Sequence, residues 1–274
     1  MYILGLDIGG STAKMILADN SGEFIGRKRM EKGIFHAAPA EQLDTFLSEN
    51  GVSYNDIDSA GITGVGTERV IDKITALPLT RINEFTAVGR GGLSLTGLEE
   101  GIVISMGTGT SFVKAGPDGC RHMGGTGVGG GMLVGLGNRL AGTHNIDELI
   151  SLASEGNLGR VDLNVGELTQ QKLNNLTADI TAANFGNVKP EASPADYALG
   201  LINTVFQTIG TMAAFLDDVP HDTPVVITGT TASSVTMAPK LLEMVETLHD
   251  MKFIIPEQAS FATALGAALE ATKQ

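Results

Sequence analysis

Ile3-Leu4-Gly5-Leu6-Asp7-Ile8-Gly9-Gly10-Ser11-Thr12-Ala13-Lys14 is an apolar strand, a glycine turn and the start of a second strand. About a hundred residues later the pattern returns as Gly101-Ile102-Val103-Ile104-Ser105-Met106-Gly107-Thr108-Gly109-Thr110, with Lys114 at nearly the offset of Lys14. A repeat of that length exceeds the roughly 20 to 50 residues of a solenoid unit, so the pattern reads as a duplicated domain. Two facing halves create a cleft into which both glycine turns can point.

Around these turns the chain reads as an α/β protein. A three-stranded antiparallel meander is expected over 2–7, 13–18 and 24–30, then a helix over 39–49 and a buried strand over 59–65. Residues 82–89 read as a strand end passing into a helix capped by Asn83. The second half opens with strands at 102–106 and 111–115 and a short return strand around Arg121. The dense glycine run 124–131 then leads into an apolar helix over 132–140. Ser193-Pro194 starts a long helix reaching 216. A strand over 224–227, a helix over 238–249, a strand over 252–255 and a closing helix over 259–272 complete the chain. No low-complexity linker divides the halves, and the boundary is expected near Gly101, giving domains 1–101 and 102–274.

Composition narrows the function. The net charge of −13 argues against binding nucleic acid or an anionic membrane, both of which call for a basic surface. The sequence has no apolar run of about 18 residues to span a bilayer. The start, Met1-Tyr2-Ile3-Leu4-Gly5, has no basic region and enters a strand at once, so a cytoplasmic protein is expected. A single cysteine, Cys120, excludes a disulfide framework or a cysteine-held cluster within one chain. The histidines at 36, 122, 144, 221 and 249 show no metal-ligand spacing. The 36 glycines, about twice the usual ~7%, gather where backbone N–H donors are useful.

Neither familiar phosphate cradle fits: there is no Gly-x-x-x-x-Gly-Lys-Ser/Thr, and a strand rather than a helix follows Gly10. A hairpin rich in Gly, Ser and Thr can still wrap a phosphate with backbone N–H groups and hydroxyls. Asp7 ends an apolar strand, where a carboxylate either holds Mg²⁺ beside the phosphate or accepts hydrogen bonds from its own turn. Lys14 is open between phosphate binding and a solvated strand position.

Taken together, these residues resemble the acetate kinase, sugar kinase, Hsp70 and actin superfamily, whose two phosphate loops look like Gly5–Lys14 and Ser105–Ser111. The match is closest to the type II pantothenate kinases, through 82–92, through Arg121 leading into 124–137, through Ala183-Asn184-Phe185-Gly186, and faintly through 162–166. The resemblance implies duplicated ribonuclease H-like, or actin-like ATPase, domains with ATP between them. It also implies phosphorylation of pantothenate by ATP and Mg²⁺ in coenzyme A synthesis, and a homodimer.

By the same resemblance Glu84 is the catalytic base; residue spacing leaves that role level with a carboxylate placed to meet its helix dipole. Arg121 matches an arginine on the pantothenate side of the site. Gly9, Gly10, Ser11, Thr12, Thr108, Gly109, Gly129, Gly130, Gly131 and Met132 fall on nucleotide-phosphate segments. Where many superfamily members carry a Gly-Gly pair, this chain has Ile227-Thr228-Gly229-Thr230-Thr231, so Thr231 is open between contacting adenosine and satisfying its own turn. A kinase for an amino sugar or another hydroxyl compound, and an ATP-dependent sensor, are the competing readings.

Overall fold

The computed structural model describes residues 1–169, 178, 180–216 and 223–273. The first strands, β1 (Tyr2–Ile8), β2 (Thr12–Ala18) and β3 (Phe24–Glu31), form the expected antiparallel meander. Helices α1 (Lys32–Ala37) and α2 (Pro39–Glu49) follow, then β4 (Ile57–Thr63), β5 (Thr80–Arg81) and α3 (Glu84–Thr96). Both β4 and β5 join the sheet in parallel, giving the order β3-β2-β1-β4-β5.

The second half repeats this plan. Strands β6 (Gly101–Met106), β7 (Thr110–Gly116) and β8 (Gly119–Thr126) are a second antiparallel meander. Next come α4 (Gly130–Leu140), α5 (Ile146–Ala153), a short ribbon of β9 (Leu163–Asn164) and β10 (Thr181–Ala183) around α6 (Val165–Leu168), and α7 (Pro194–Ala214). Then β11 (Val225–Thr228), α8 (Thr230–Ser234), α9 (Ala238–His249), β12 (Phe253–Ile254) and α10 (Ala262–Ala271) end the chain. The sheet order is β12-β11-β6-β7-β8, with β11 and β12 parallel to β6. The doubled motif is thus a doubled topology: each meander is extended on its first strand by two parallel strands.

The layers explain why the central strands read as continuous apolar runs. One face of the first sheet packs Leu4, Leu6 and Ile62 against Phe35, Leu43 and Phe46 of α1 and α2. Its other face packs Ile3 and Ile16 against Ala264, Leu265 and Ala268 of α10, so the last helix in sequence returns to the first sheet. The second sheet packs Val103, Val113 and Val226 against Val88 and Leu93 of α3. On its far face Ile102, Ile104 and Ile227 meet α4, α5, α7 and α9. Helices α3 and α10 therefore lie between the sheets with their backbones touching. A Cβ on Gly91 would stand 1.7 Å from the Ala262 carbonyl oxygen, and one on Gly266 1.8 Å from that of Ala87.

The structure revises several expected boundaries. Strand β8 runs through Thr126, so the front of the glycine run is strand and α4 begins at Gly130 rather than Met132. The strand expected over 59–65 ends at Thr63, because Gly64 turns the chain at φ +95°. The closing helix starts as a 3-10 turn, Ala259–Phe261. Ser193 caps α7 as expected, its hydroxyl accepting from Asp196 N. The apolar face of α7 is buried inside its own chain against α4, α5 and α9. No helix among the described residues is long and apolar enough to cross a membrane.

Candidate active site

Both glycine turns open into one cavity of about 720 Å³ between the two sheets. The turns touch across it: Ser11 Oγ and Thr108 Oγ1 are 3.0 Å apart, and a Cβ on Gly10 would reach within 3.1 Å of Thr108 Oγ1. Each turn is closed internally, Gly9 N donating to Thr12 O at 2.9 Å and Gly107 N to Gly109 O at 2.9 Å. The N–H groups of Gly10, Ser11, Thr108 and Gly109 have no partner among the described residues. Free N–H groups and hydroxyls in two opposed turns form a neutral donor set suited to phosphate oxygens.

Asp7 and Lys14 sit side by side on β1 and β2, paired in the strand register, with Lys14 Nζ donating to Asp7 Oδ2 at 3.1 Å. Both line the cavity and are otherwise buried. Lys14 is therefore not a solvated lysine. Glu84 lines the same cavity as the first residue of α3, while the Asn83 side chain accepts from Phe85 N and Thr86 N and so fixes the helix start. The residue is exposed overall, on the wall of the open cavity. Burial first, and then the negative charge of Asp7, hold it above the usual carboxylate range against the opposing pull of Lys14. A carboxylate so placed is a stronger base than a surface glutamate.

Of the residues expected at the site, Asp7, Gly9, Gly10, Ser11, Thr12, Lys14, Glu84, Thr108, Gly109, Gly130, Gly131 and Thr231 line this cavity. Gly129, Met132 and Arg121 do not. The N–H groups of Gly130 and Gly131 donate to Gly107 O (2.9 Å) and Thr108 O (2.8 Å), so the start of α4 braces the second turn. Its dipole faces the cavity, but these two donors are already engaged. Gly129 lets the segments meet: a Cβ there would stand 3.0 Å from Thr108 O. Thr231 donates its hydroxyl to Gly107 O at 3.1 Å, the turn-satisfying alternative.

Arg121 is exposed on β8, opposite Lys114 in register. It lies three positions along the ladder from the pair containing Ser111, which lines the cavity, or roughly 10 Å. Its neighbours Cys120 and His122 face α3: Cys120 Sγ is 3.8 Å from Thr86 O, and His122 stacks on Phe85 with ring centroids 3.9 Å apart. Strand alternation sends Arg121 to the opposite face.

Ser105, Ser111 and Thr126, inside the stretches that carry the resemblance but given no individual role, also line the cavity, and sequence reasoning overlooked Val65, Ser234 and Thr263 on its wall. Val65 had an available signal, because Thr63-Gly64-Val65-Gly66 is a third glycine turn after an apolar strand. No group of three or more metal-ligating side chains occurs among the described residues, and His221 lies outside them.

A family model described as Fumble matches residues 101–270. This chain belongs to the Fumble family, that of the type II pantothenate kinases. A curated relative of this Fumble-family chain, the type II pantothenate kinase of Staphylococcus haemolyticus (strain JCSC1435), is 29% identical over 96% of the chain and 98% of its own length. Among solved structures, the activator of the 2-hydroxyisocaproyl-CoA dehydratase of Clostridium difficile, with bound ADPNP, superposes with a TM-score of 0.67 at 19% identity. It covers 100% of this chain and 95% of its own. A ROK family glucokinase from Streptomyces griseus, in complex with glucose and AMPPNP, gives 0.63 at 14% identity with both chains fully covered. At such identities these likenesses establish the actin-like fold.

Proposed function

We propose that the chain transfers the terminal phosphoryl group of ATP to the primary hydroxyl of pantothenate, forming 4'-phosphopantothenate for coenzyme A synthesis. Family membership supports the reaction. The observation that carries the residue assignments is the meeting of two donor-rich glycine turns over a cavity walled by Glu84 and the Asp7–Lys14 pair.

In this reading Gly10, Ser11, Thr108 and Gly109 hold the phosphates by backbone N–H groups and hydroxyls, and Lys14 adds positive charge to them. Glu84 orients the acceptor hydroxyl and takes its proton as the new P–O bond forms. Phosphoryl transfer has a loose transition state, so positioning and neutralisation dominate the rate and a late proton transfer suffices. The donor set suits Mg²⁺ arriving with the phosphates: one buried carboxylate, Asp7, with Glu84 electrostatically close, and no all-protein cage among the described residues. Asp7 would hold the ion, which supplies charge neutralisation when bound. The homodimer implied by the resemblance belongs to the same proposal and is measured by light scattering.

The test is Mg²⁺-dependent phosphorylation of pantothenate by wild type and Glu84→Gln, with N-acetylglucosamine as a parallel acceptor. A loss of about 10²- to 10⁴-fold in kcat with ATP binding retained is expected. Phosphorylation of the sugar instead of pantothenate, or a fully active Glu84→Gln, refutes the assignment.

A further inference from the structure

Beside the proposed phosphate turns lies a second region that collects unpartnered polar atoms and positive charge. The chain leaves β4 through Thr63-Gly64-Val65-Gly66-Thr67, of which Thr63 and Thr67 are 1% and 5% exposed. Neither threonine hydroxyl has a hydrogen-bond partner, and neither does the buried Nε2 of His36. Gly66 rests against that imidazole: a Cβ there would stand 3.2 Å from His36 Nε2 and 2.5 Å from Ile8 Cγ2. Buried groups of this kind normally have partners, so their gathering around one short loop calls for an explanation.

The same imidazole is ringed by cations. Burial and the charges of Lys32, Arg69 and Lys73 all push it towards its neutral form. Lys73 Nζ donates to His36 O at 3.5 Å, and Lys32 Nζ donates to Gly10 O. None of the three cations has a carboxylate within ion-pair distance among the described residues. Glu68, beside Arg69, is taken by Arg81, whose charge Asp72 also supports. Three cations therefore act on one imidazole without a close ion pair, Arg69 and Lys73 from exposed positions, in a chain whose net charge of −13 supplies carboxylates in plenty. Gly10 and Val65, which adjoin the cluster, line the cavity, so the cluster stands at its mouth.

We propose that Lys32, His36, Arg69 and Lys73, with the 63–67 loop, form an oxyanion subsite at the cleft mouth, taking the carboxylate or phosphate end of a ligand held in the cleft. The identity of that ligand rests on the kinase reading; the subsite itself does not. Two sources share this chemistry, the carboxylate of the acceptor and the phosphate chain of the nucleotide.

The experiment uses Arg69→Gln, Lys73→Gln and the double variant in the full chain. Lys240→Gln, exposed on α9, is the control carrying the same charge change. KM and kcat are measured for pantothenate, for pantothenol, which keeps the acceptor hydroxyl and replaces the carboxylate by an alcohol, and for ATP. Binding of inorganic phosphate and pyrophosphate is titrated separately by calorimetry. A rise of about ten- to a hundredfold in the double variant's KM for pantothenate, with pantothenol unaffected, supports the subsite and names the carboxylate. The same rise for ATP supports it and names the phosphate. If the wild type leaves pantothenate unmodified, the kinase reading fails while the phosphate titrations still decide the subsite. KM values and anion titrations in the double variant that match Lys240→Gln overturn it.

Discussion

Gly266→Ala tests the central contact of the fold. The added Cβ would stand 1.8 Å from the Ala87 carbonyl oxygen and 2.7 Å from Gly91 N, so the obstacle is the backbone of α3 and not a side chain that can swing away. Restoring ordinary contact near 3.4 Å requires α3 and α10 to part by about 1.6 Å. Neither helix has room to retreat, since α10 lies on the first sheet and α3 on the second. Overpacking of this kind costs about 3 kcal/mol, offset by roughly 1 kcal/mol of better helix propensity, a net loss of about 2 kcal/mol. With a urea dependence of about 2 kcal/mol per molar, the unfolding midpoint falls by roughly 1 M. The displacement also reaches Glu84, at the start of the same helix, and a misplacement of about 1 Å lowers turnover on the order of 10²-fold. Urea unfolding and kcat are measured beside Gly33→Ala, a helical glycine with nothing within 4 Å of its added Cβ. If Gly266→Ala matches that control in midpoint and turnover, the helices are not in backbone contact and the layer description fails.

Lys14→Met removes the cation that opposes burial and Asp7 at Glu84, so the Glu84 pKa rises further. If Glu84 is the base proposed above, it must be deprotonated to act, so the acid limb of kcat/KM moves to higher pH; an unmoved limb refutes the electrostatic coupling. The same change strands the buried Asp7 carboxylate and lowers stability by about 3 kcal/mol at pH 7, seen as a reduced denaturation midpoint. Asp196 is buried, which by itself would raise its pKa. Hydrogen bonds from Ser193 N, Ser193 Oγ and Asn157 N, with Arg160 nearby, outweigh burial and hold it below the usual range. Its stabilisation is therefore present above the unfolded value near 4 and lost as pH falls through the lower folded value. Asp196→Asn should cost about 2 kcal/mol at pH 7 and flatten the acid decline of stability, and a variant with the wild-type pH profile contradicts this. Thr231→Val loses the bond to Gly107 O, with an expected cost of about 1 kcal/mol and an unchanged KM for ATP; a large rise in that KM would reassign Thr231 to the nucleotide.

Elements with strong local signals matched their expected positions. The two meanders, the Asn83 cap, the Ser193-Pro194 start and the helix over 39–49 each depend on neighbours within a few residues, through alternation, capping or helical periodicity. Expected boundaries were wrong where distant segments intervened. The run 124–126 was placed in the glycine segment after the return strand, yet pairing with β7 makes it strand. The start of α4 was placed two residues late because Gly130 N and Gly131 N are satisfied by carbonyls about twenty residues away in the second turn. Arg121 was assigned to the site by its motif, whereas its outward direction follows from strand parity and from which face of β8 meets α3.

By itself, then, the sequence determined the doubled strand–turn–strand units and most of the turn residues that line the cavity, while the actin-like class came from the resemblance those turns carry. It could do so because strands, hairpins and caps are local and the halves repeat one another. The tertiary structure alone decided that Lys14 pairs with Asp7, that Ser11 meets Thr108 across the cleft, that α10 returns to the first sheet, and that the unpartnered atoms of His36, Thr63 and Thr67 are buried, with the charges of Lys32, Arg69 and Lys73 acting on His36. Each of these depends on two strands in register, on two layers in contact, or on a charge felt through space, and none has a signature in the spacing of residues along the chain.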